Sequence, residues 1–183
     1  MIFSYFFEGK LVILSNATTY INKAQIGILT DNYAELSVQN IIINNTFVNH
    51  QSGHLILEQD ASIHGNGKIV NYGKISSDPI NSGETVTTLI DISNYGLVTM
   101  TTIWDMSGKK YEQYYGMTIF SNLIAKSISQ MGGGFDGNGS ITTESGYSFS
   151  KGTIFPGGRF FGGTKKDMNF LCFRKRYSWI IEY

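Results

Sequence analysis

In the stretch Ile63 to Ile75 aliphatic residues recur every six positions among Asn and Gly, and Gly67-Lys68-Ile69 returns as Gly73-Lys74-Ile75. An amphipathic helix needs apolar residues three and four apart, whereas this pattern predicts strands of two to four residues broken by residues that accept left-handed backbone angles. A longer frame overlies it: Asn32-Tyr33-Ala34-Glu35-Leu36-Ser37, Asn71-Tyr72-Gly73-Lys74-Ile75-Ser76 and Asn94-Tyr95-Gly96-Leu97-Val98-Thr99. With Ser52-Gly53-His54-Leu55, Tyr115-Gly116-Met117-Thr118 and Asn138-Gly139-Ser140-Ile141, its small residue falls at 34, 53, 73, 96, 116 and 139. The spacings, 19, 20, 23, 20 and 23, are repeat lengths of a solenoid and predict about six or seven coils.

Stacked coils place equivalent residues in columns at the ~4.8 Å strand spacing of a parallel sheet. Leu36, Leu55, Ile75 and Val98 are expected to form one inward column, and Val38, Leu57 and Met100 a second, two residues on and so on the same face. Asn32, Asn71 and Asn94 sit where the chain must bend, and are expected to form a structural turn ladder. Residues 117–120 read as strand, while 121–130 suit either a short helix or a further strand. Gly132 to Gly163 holds eleven glycines among large rings, as in further coils with loose turns or a Gly/aromatic loop. The expected organisation is one domain over 1–183, with an aromatic N-terminal cap at 1–24, coils at 25–142, and a Gly/aromatic segment with a C-terminal cap at 143–183. Residues 2–7 and 11–14 are expected to start it as a strand pair or cap. Phe170-Leu171-Cys172-Phe173 and Tyr177 to Tyr183, either side of Arg174-Lys175-Arg176, are expected to end it as a capping hairpin.

Composition agrees with an all-β chain of tight turns: 42% hydrophobic and 15% charged residues, with 21 Gly and 14 Asn. Fourteen basic residues offset fourteen acidic ones, so net charge draws the chain to neither nucleic acid nor an anionic membrane. Cys172 is the single cysteine, which excludes an intramolecular disulfide and a multi-thiolate metal site. No stretch approaches the ~20 apolar residues of a membrane-spanning helix, and the first fifteen residues lack the leading positive charge of a secretion signal.

Candidate chemistry is sparse. His50, His54 and His64 lie near one another in sequence, but His50-Gln51-Ser52-Gly53-His54 is a turn entering a strand, and the residues read as surface polar groups. Asp136, Asn138, Ser140 and Glu144 occupy odd positions of a calcium-type loop, without its central glycine or its final acid. Glu58 and Asp60, on alternate positions of one expected strand, are the best carboxylate pair, and Asp78, Glu84 and Asp91 follow in the next coil. Residues 1–158 contain no Arg with which to grip a sugar carboxylate. No catalytic, metal or cofactor residue is assigned, and no cofactor is expected. Glu58, Asp60, Asp78 and Asp91 stand as an alternative acidic site. Phe155, Phe160, Phe161 and Trp179 are too many large rings for glycine-rich backbone to bury, and mark an expected interface.

The Asn-Tyr-Gly-x-Ile and Gly-Asn-Gly-Lys-Ile coils resemble the right-handed parallel β-helix proteins of the pectin-lyase-like kind, over about residues 25–142. More narrowly they are similar to the non-enzymatic members found in surface adhesins, phage tails and virions. The resemblance implies an all-β, right-handed parallel β-helix (β-solenoid) with caps at both ends, and no catalytic residue carries over. It implies a structural or adhesive component of a virion or cell surface, self-associating or binding another surface protein and possibly glycans. The alternative is a carbohydrate-active enzyme, a polysaccharide lyase or hydrolase.

Overall fold

Four-residue runs that alternate inward and outward side chains, each closed by a bend, are too short for a flat sheet, and here they stack on one another turn by turn. The computed structural model describes residues 4–7, 11–14, 18–27, 29–77, 84–154, 159–161 and 181–182. Among them every strand pairing is parallel and no residue is helical. Three ladders run along the axis. The first face stacks residues 18–21, 35–38, 54–57, 74–77, 97–100, 117–120, 134–137 and 153–154. The second begins at 4–7 and 23–26 and reaches 140–142, 159–161 and 181–182. The third runs from 11–13 through 30–32 to 147–149. The result is a β-solenoid of about seven turns. The strands His54–Asn71 and Leu97–Gln113 each pass through all three faces of a turn, bending at the corners.

The first expected column is present, and the second, of Val38, Leu57 and Met100, is interrupted by Ser77 between Leu57 and Met100. Leu36, Leu55, Ile75 and Val98 are successive partners across the first face and all are buried. Val38 and Leu57 pair two residues on, with buried Ser77 above Leu57. Further along the axis the filling changes from aliphatic to aromatic. Trp104 meets Tyr111 edge-on at 5.4 Å, and Phe135 meets Tyr111, Phe120 and Tyr147 edge-on at 5.9–6.2 Å. Such edge-to-face contacts suit ring quadrupoles. Residues 121–130, whose pattern suits either a helix or a strand, are strand, with Leu123, Ala125 and Ile128 inward.

The corner between the third and first faces sets the repeat. Its small residue recurs at Ala34, Gly53, Gly73, Gly96, Gly116, Gly133 and Gly152, and the next residue donates its N–H to the equivalent carbonyl one turn below, as in Leu97 to Gly73 and Met117 to Gly96, at 2.9 and 3.1 Å. The expected sixth position, Gly139, is corrected to Gly133. The turn starting at Met117 spends one residue on each of two corners, Ser121 and Lys126, and so closes in 17 residues. A side chain at Gly116 would overlap the Gly96 carbonyl, and its φ of +69° disfavours other residues independently.

Behind this corner runs a buried amide column. Asn32 Nδ2 donates to Asn49 Oδ1 (2.8 Å), Asn49 to Asn71 (2.7 Å), Asn71 to Asn94 (2.7 Å) and Asn94 to Gln113 Oε1 (2.9 Å). The same amides bond the corner backbone, Asn71 donating to the Gly73 carbonyl and Asn94 Oδ1 accepting the Gly96 N–H. All five side chains are fully buried, as is Gln130. The expected ladder of Asn32, Asn71 and Asn94 is thus extended by Asn49 and Gln113.

At the ends, residues 4–7 and 11–13 each pair with the following turn, extending two ladders by one strand. The expected hairpin segment 170–173 and its basic turn lie outside the described residues.

Ile75→Asp should prevent folding, because an unpartnered carboxylate in the aliphatic column costs several kcal/mol, while exposed Lys74→Asp should keep the β spectrum. Asn71→Ala should lower unfolding stability in urea by about 1–3 kcal/mol through the amide and carbonyl partners it orphans. Gly116→Ala should destabilise more than the same change at Gly27, where a side chain meets nothing.

Candidate functional site

On a solenoid the inward positions are consumed by packing, so chemistry falls to outward residues whose columns the register creates. The first face carries one such assembly. Its first outward position is Glu35, His54 and Lys74 on three successive turns, and its next is Ser37, Ile56, Ser76 and Thr99. All of these but Glu35, together with Ser77 and with Glu58 and Thr101 at the following corner, line a groove of about 450 Å³. That volume lies within the range of small-ligand sites. Its walls are hydroxyls, one imidazole, one ammonium and one carboxylate.

His54 lines the groove and contacts the turns on either side. Its Nε2 lies 2.7 Å from Ser76 Oγ on the turn above, and its Nδ1 lies 4.0 Å from Glu35 Oε2 on the turn below. Partial burial lowers the His54 pKa below 6.5, the Lys74 charge lowers it further, and Glu35 opposes both. The shift favours the neutral imidazole, in which one ring nitrogen donates and the other accepts.

The acidic residues singled out in the sequence are distributed differently. Glu58 lines the groove. Asp60 is exposed at the next corner with φ +52°, so the pleat that would have set Glu58 and Asp60 on one face is broken between them. Asp91 is on the third face, where its Oδ1 accepts the Lys110 N–H at 2.9 Å, and Glu84 Oε1 accepts from Gln59 Nε2 at 2.6 Å. Asp78 lies outside the described residues. Phe155 and Trp179 do as well, while Phe160 and Phe161 lie in the strand Arg159–Phe161.

The three histidines occupy three different places. His50 is at the amide corner, 2.8 Å from buried Asp31 and stacked on Tyr33 at 4.0 Å, and His64 is on the second face beside Ser62. Asp136 Oδ1 accepts the Gly137 N–H, Ser140 donates to Asn122 across the ladder, and Glu144 Oε1 accepts the Gly108 N–H. Among the described residues no three His, Cys, Asp or Glu side chains are grouped to hold a metal ion.

A second outward column follows the amide corner. Tyr72 stacks on Tyr95 at 4.9 Å, and Tyr95 on Tyr114 at 4.6 Å with planes 6° apart. A concavity of about 400 Å³ beyond it is lined by Tyr115, Met131, Lys151, Thr153 and corner glycines.

Neither Glu35 nor Ser76 is conspicuous in the sequence. The signal that brings them together is the repeat frame itself: Glu35 and Lys74 hold the same position in Asn-Tyr-small-x-aliphatic, with His54 between them. No protein-family model, curated protein or solved structure matches this chain.

In an NMR titration His54 should titrate below 6.5, and Lys74→Ala should raise its midpoint by removing a neighbouring cation. Because the folded value is the lower one, the unfolded chain binds the extra proton. His54 should therefore cost stability progressively as pH falls from 6.5 through its folded pKa, and nothing above 6.5.

Proposed function

We propose that this chain is a structural β-solenoid of a virion or cell surface, related to the pectin-lyase-like β-helices, that works by assembly and partner binding and cleaves no polysaccharide. The observation that carries this reading is the hydrogen-bonded amide column from Asn32 to Gln113. A buried polar column satisfied only in one register fixes the spacing of the turns it joins, which suits a rigid shaft. Parallel ladders add to this, since each turn is held by the turns on either side of it.

Two further features support assembly. Residues 4–7 end the second ladder, and among the described residues their other edge pairs with no strand. A strand edge of Ser-Tyr-Phe-Phe is a template suited to a further strand. The aromatic composition of the C-terminal segment, with Phe155, Phe160, Phe161 and Trp179, supports a second interface on sequence grounds. Glycans, presented in repeat on a partner surface, are compatible with the hydroxyl-lined first face.

Sedimentation of the purified full chain should show concentration-dependent self-association, weakened by truncation before Gly132 while the β spectrum of the remaining turns persists. A chain that stays monomeric at high concentration, or that depolymerises a polyuronate or other glycan in a reaction abolished by Glu58→Gln or Asp60→Asn, would overturn the reading.

A further inference from the structure

Glu35, His54 and Ser76 come from three consecutive turns of the first face: Glu35 and His54 share one outward column, and Ser76 stands in the next, diagonal to His54, whose register partner on that turn is Lys74. Hydroxyl and imidazole are at hydrogen-bond distance, 2.7 Å, and the carboxylate is 4.0 Å from the other ring nitrogen. That is the order of contacts by which a base activates a serine and a carboxylate orients the base. The other histidines lack it. His50 already meets Asp31 through Nε2 and is stacked on Tyr33, and the His64 contact with Ser62 is local, between residues two apart on one strand.

We propose that the first-face groove is an ester-hydrolysing site in which Ser76 is the nucleophile, His54 the general base, Glu35 a positioning residue and Lys74 the charge that faces the developing oxyanion. Ser76 Oγ attacks the ester carbonyl carbon as its proton passes to His54 Nε2. The tetrahedral intermediate collapses with cleavage of the acyl carbon–oxygen bond, and the leaving alcohol takes that proton from His54. Water then attacks the acyl-Ser76 carbonyl, giving a proton to His54, and the carboxylic acid departs as the proton returns to Ser76 Oγ. No oxidant, metal or co-reactant enters.

The surroundings supply the rest. Lys74 is the register neighbour of His54 and the one cation of the groove, placed to face negative charge beside Ser76 two residues away. Ser37, Thr99 and Thr101 line the groove with hydroxyls, and its volume of about 450 Å³ holds one sugar-sized alcohol and a short acyl chain. The substrate class is therefore a short-chain O-acyl ester of a polyhydroxylated alcohol. This activity is independent of assembly and leaves glycosidic bonds intact.

The full chain should be treated with a fluorophosphonate probe and mapped by peptide mass, and assayed with p-nitrophenyl acetate. Expected are a label on Ser76, hydrolysis above the buffer rate, and loss of both in Ser76→Ala with the β spectrum unchanged. His54→Gln should lower the rate about 10²-fold or more. Glu35→Gln should lower kcat with little change in KM and shift the pH profile of hydrolysis. The charged groups bearing on that profile are Glu35 below His54, Lys74 above it and Glu58 in the same groove. No label and no hydrolysis, a label on another serine, or an undiminished rate in Ser76→Ala would overturn the proposal. None of these results would bear on self-association.

Discussion

The structure depends on how closely the corner backbone of one turn rests on the next. Glycine at Gly73, Gly96 and Gly116 lets each carbonyl sit where a side chain would otherwise be, and the following N–H reaches it. The buried amides beside this corner complete it. Each asparagine among them bonds its own turn's backbone and the amide of the next turn, so bending within a turn and stacking between turns are satisfied by one side chain. A buried amide that lost a partner would be costly, which makes the column selective for a single register. The inward columns of Leu36, Leu55, Ile75 and Val98 supply burial energy but would tolerate a slip of equivalent apolar residues; the corner would not.

The change from aliphatic to aromatic filling follows from the same geometry. Below Lys74 the interior is mostly Ile, Leu, Val and Ala with the single ring of Phe47, whereas beyond it Trp104, Tyr111, Phe120 and Phe135 join the aliphatic residues. Larger rings bring polar handles that must be satisfied. Trp104 Nε1 donates to Thr88 Oγ1, and Tyr111 and Thr118 share hydroxyl contacts with the Gln113 amide. Gln replaces Asn in the amide column at the turn where Tyr111 enters, so the column and the aromatic core meet in one network. Burial pushes the Tyr111 hydroxyl well above the usual phenol range, and it stays a neutral donor.

With the interior given over to packing, function is confined to outward columns. A solenoid makes such columns from residues about twenty apart, and adjacent turns bring them within contact distance at the strand spacing. The first face gathers Glu35, His54, Lys74 and Ser76 in this way, and the corner gathers Tyr72, Tyr95 and Tyr114. The assembly reading draws on the shaft and its ends; the proposed hydrolysis draws on one groove in its side.

By itself the sequence determined the periodic part of this protein: short strands, parallel stacking, the inward columns through Val98, and the Asn-Tyr-small corner. These are legible because each turn repeats the same local conflict between strand and bend, and Asn and Gly mark its solution. Asn49 and Gln113 escaped the frame because one is followed by a two-residue insertion and the other is a different residue type serving the same amide role. Gly133 escaped it because the 17-residue turn from Met117 shortened the spacing. Only the tertiary structure decided which outward residues meet. The relation of Glu35 to His54 and of His54 to Ser76 is a matter of register between turns, and a displacement of one residue would send these side chains inward. The separation of Glu58 from Asp60 likewise arises at a corner whose backbone angle at Asp60 no pattern of apolar residues announces.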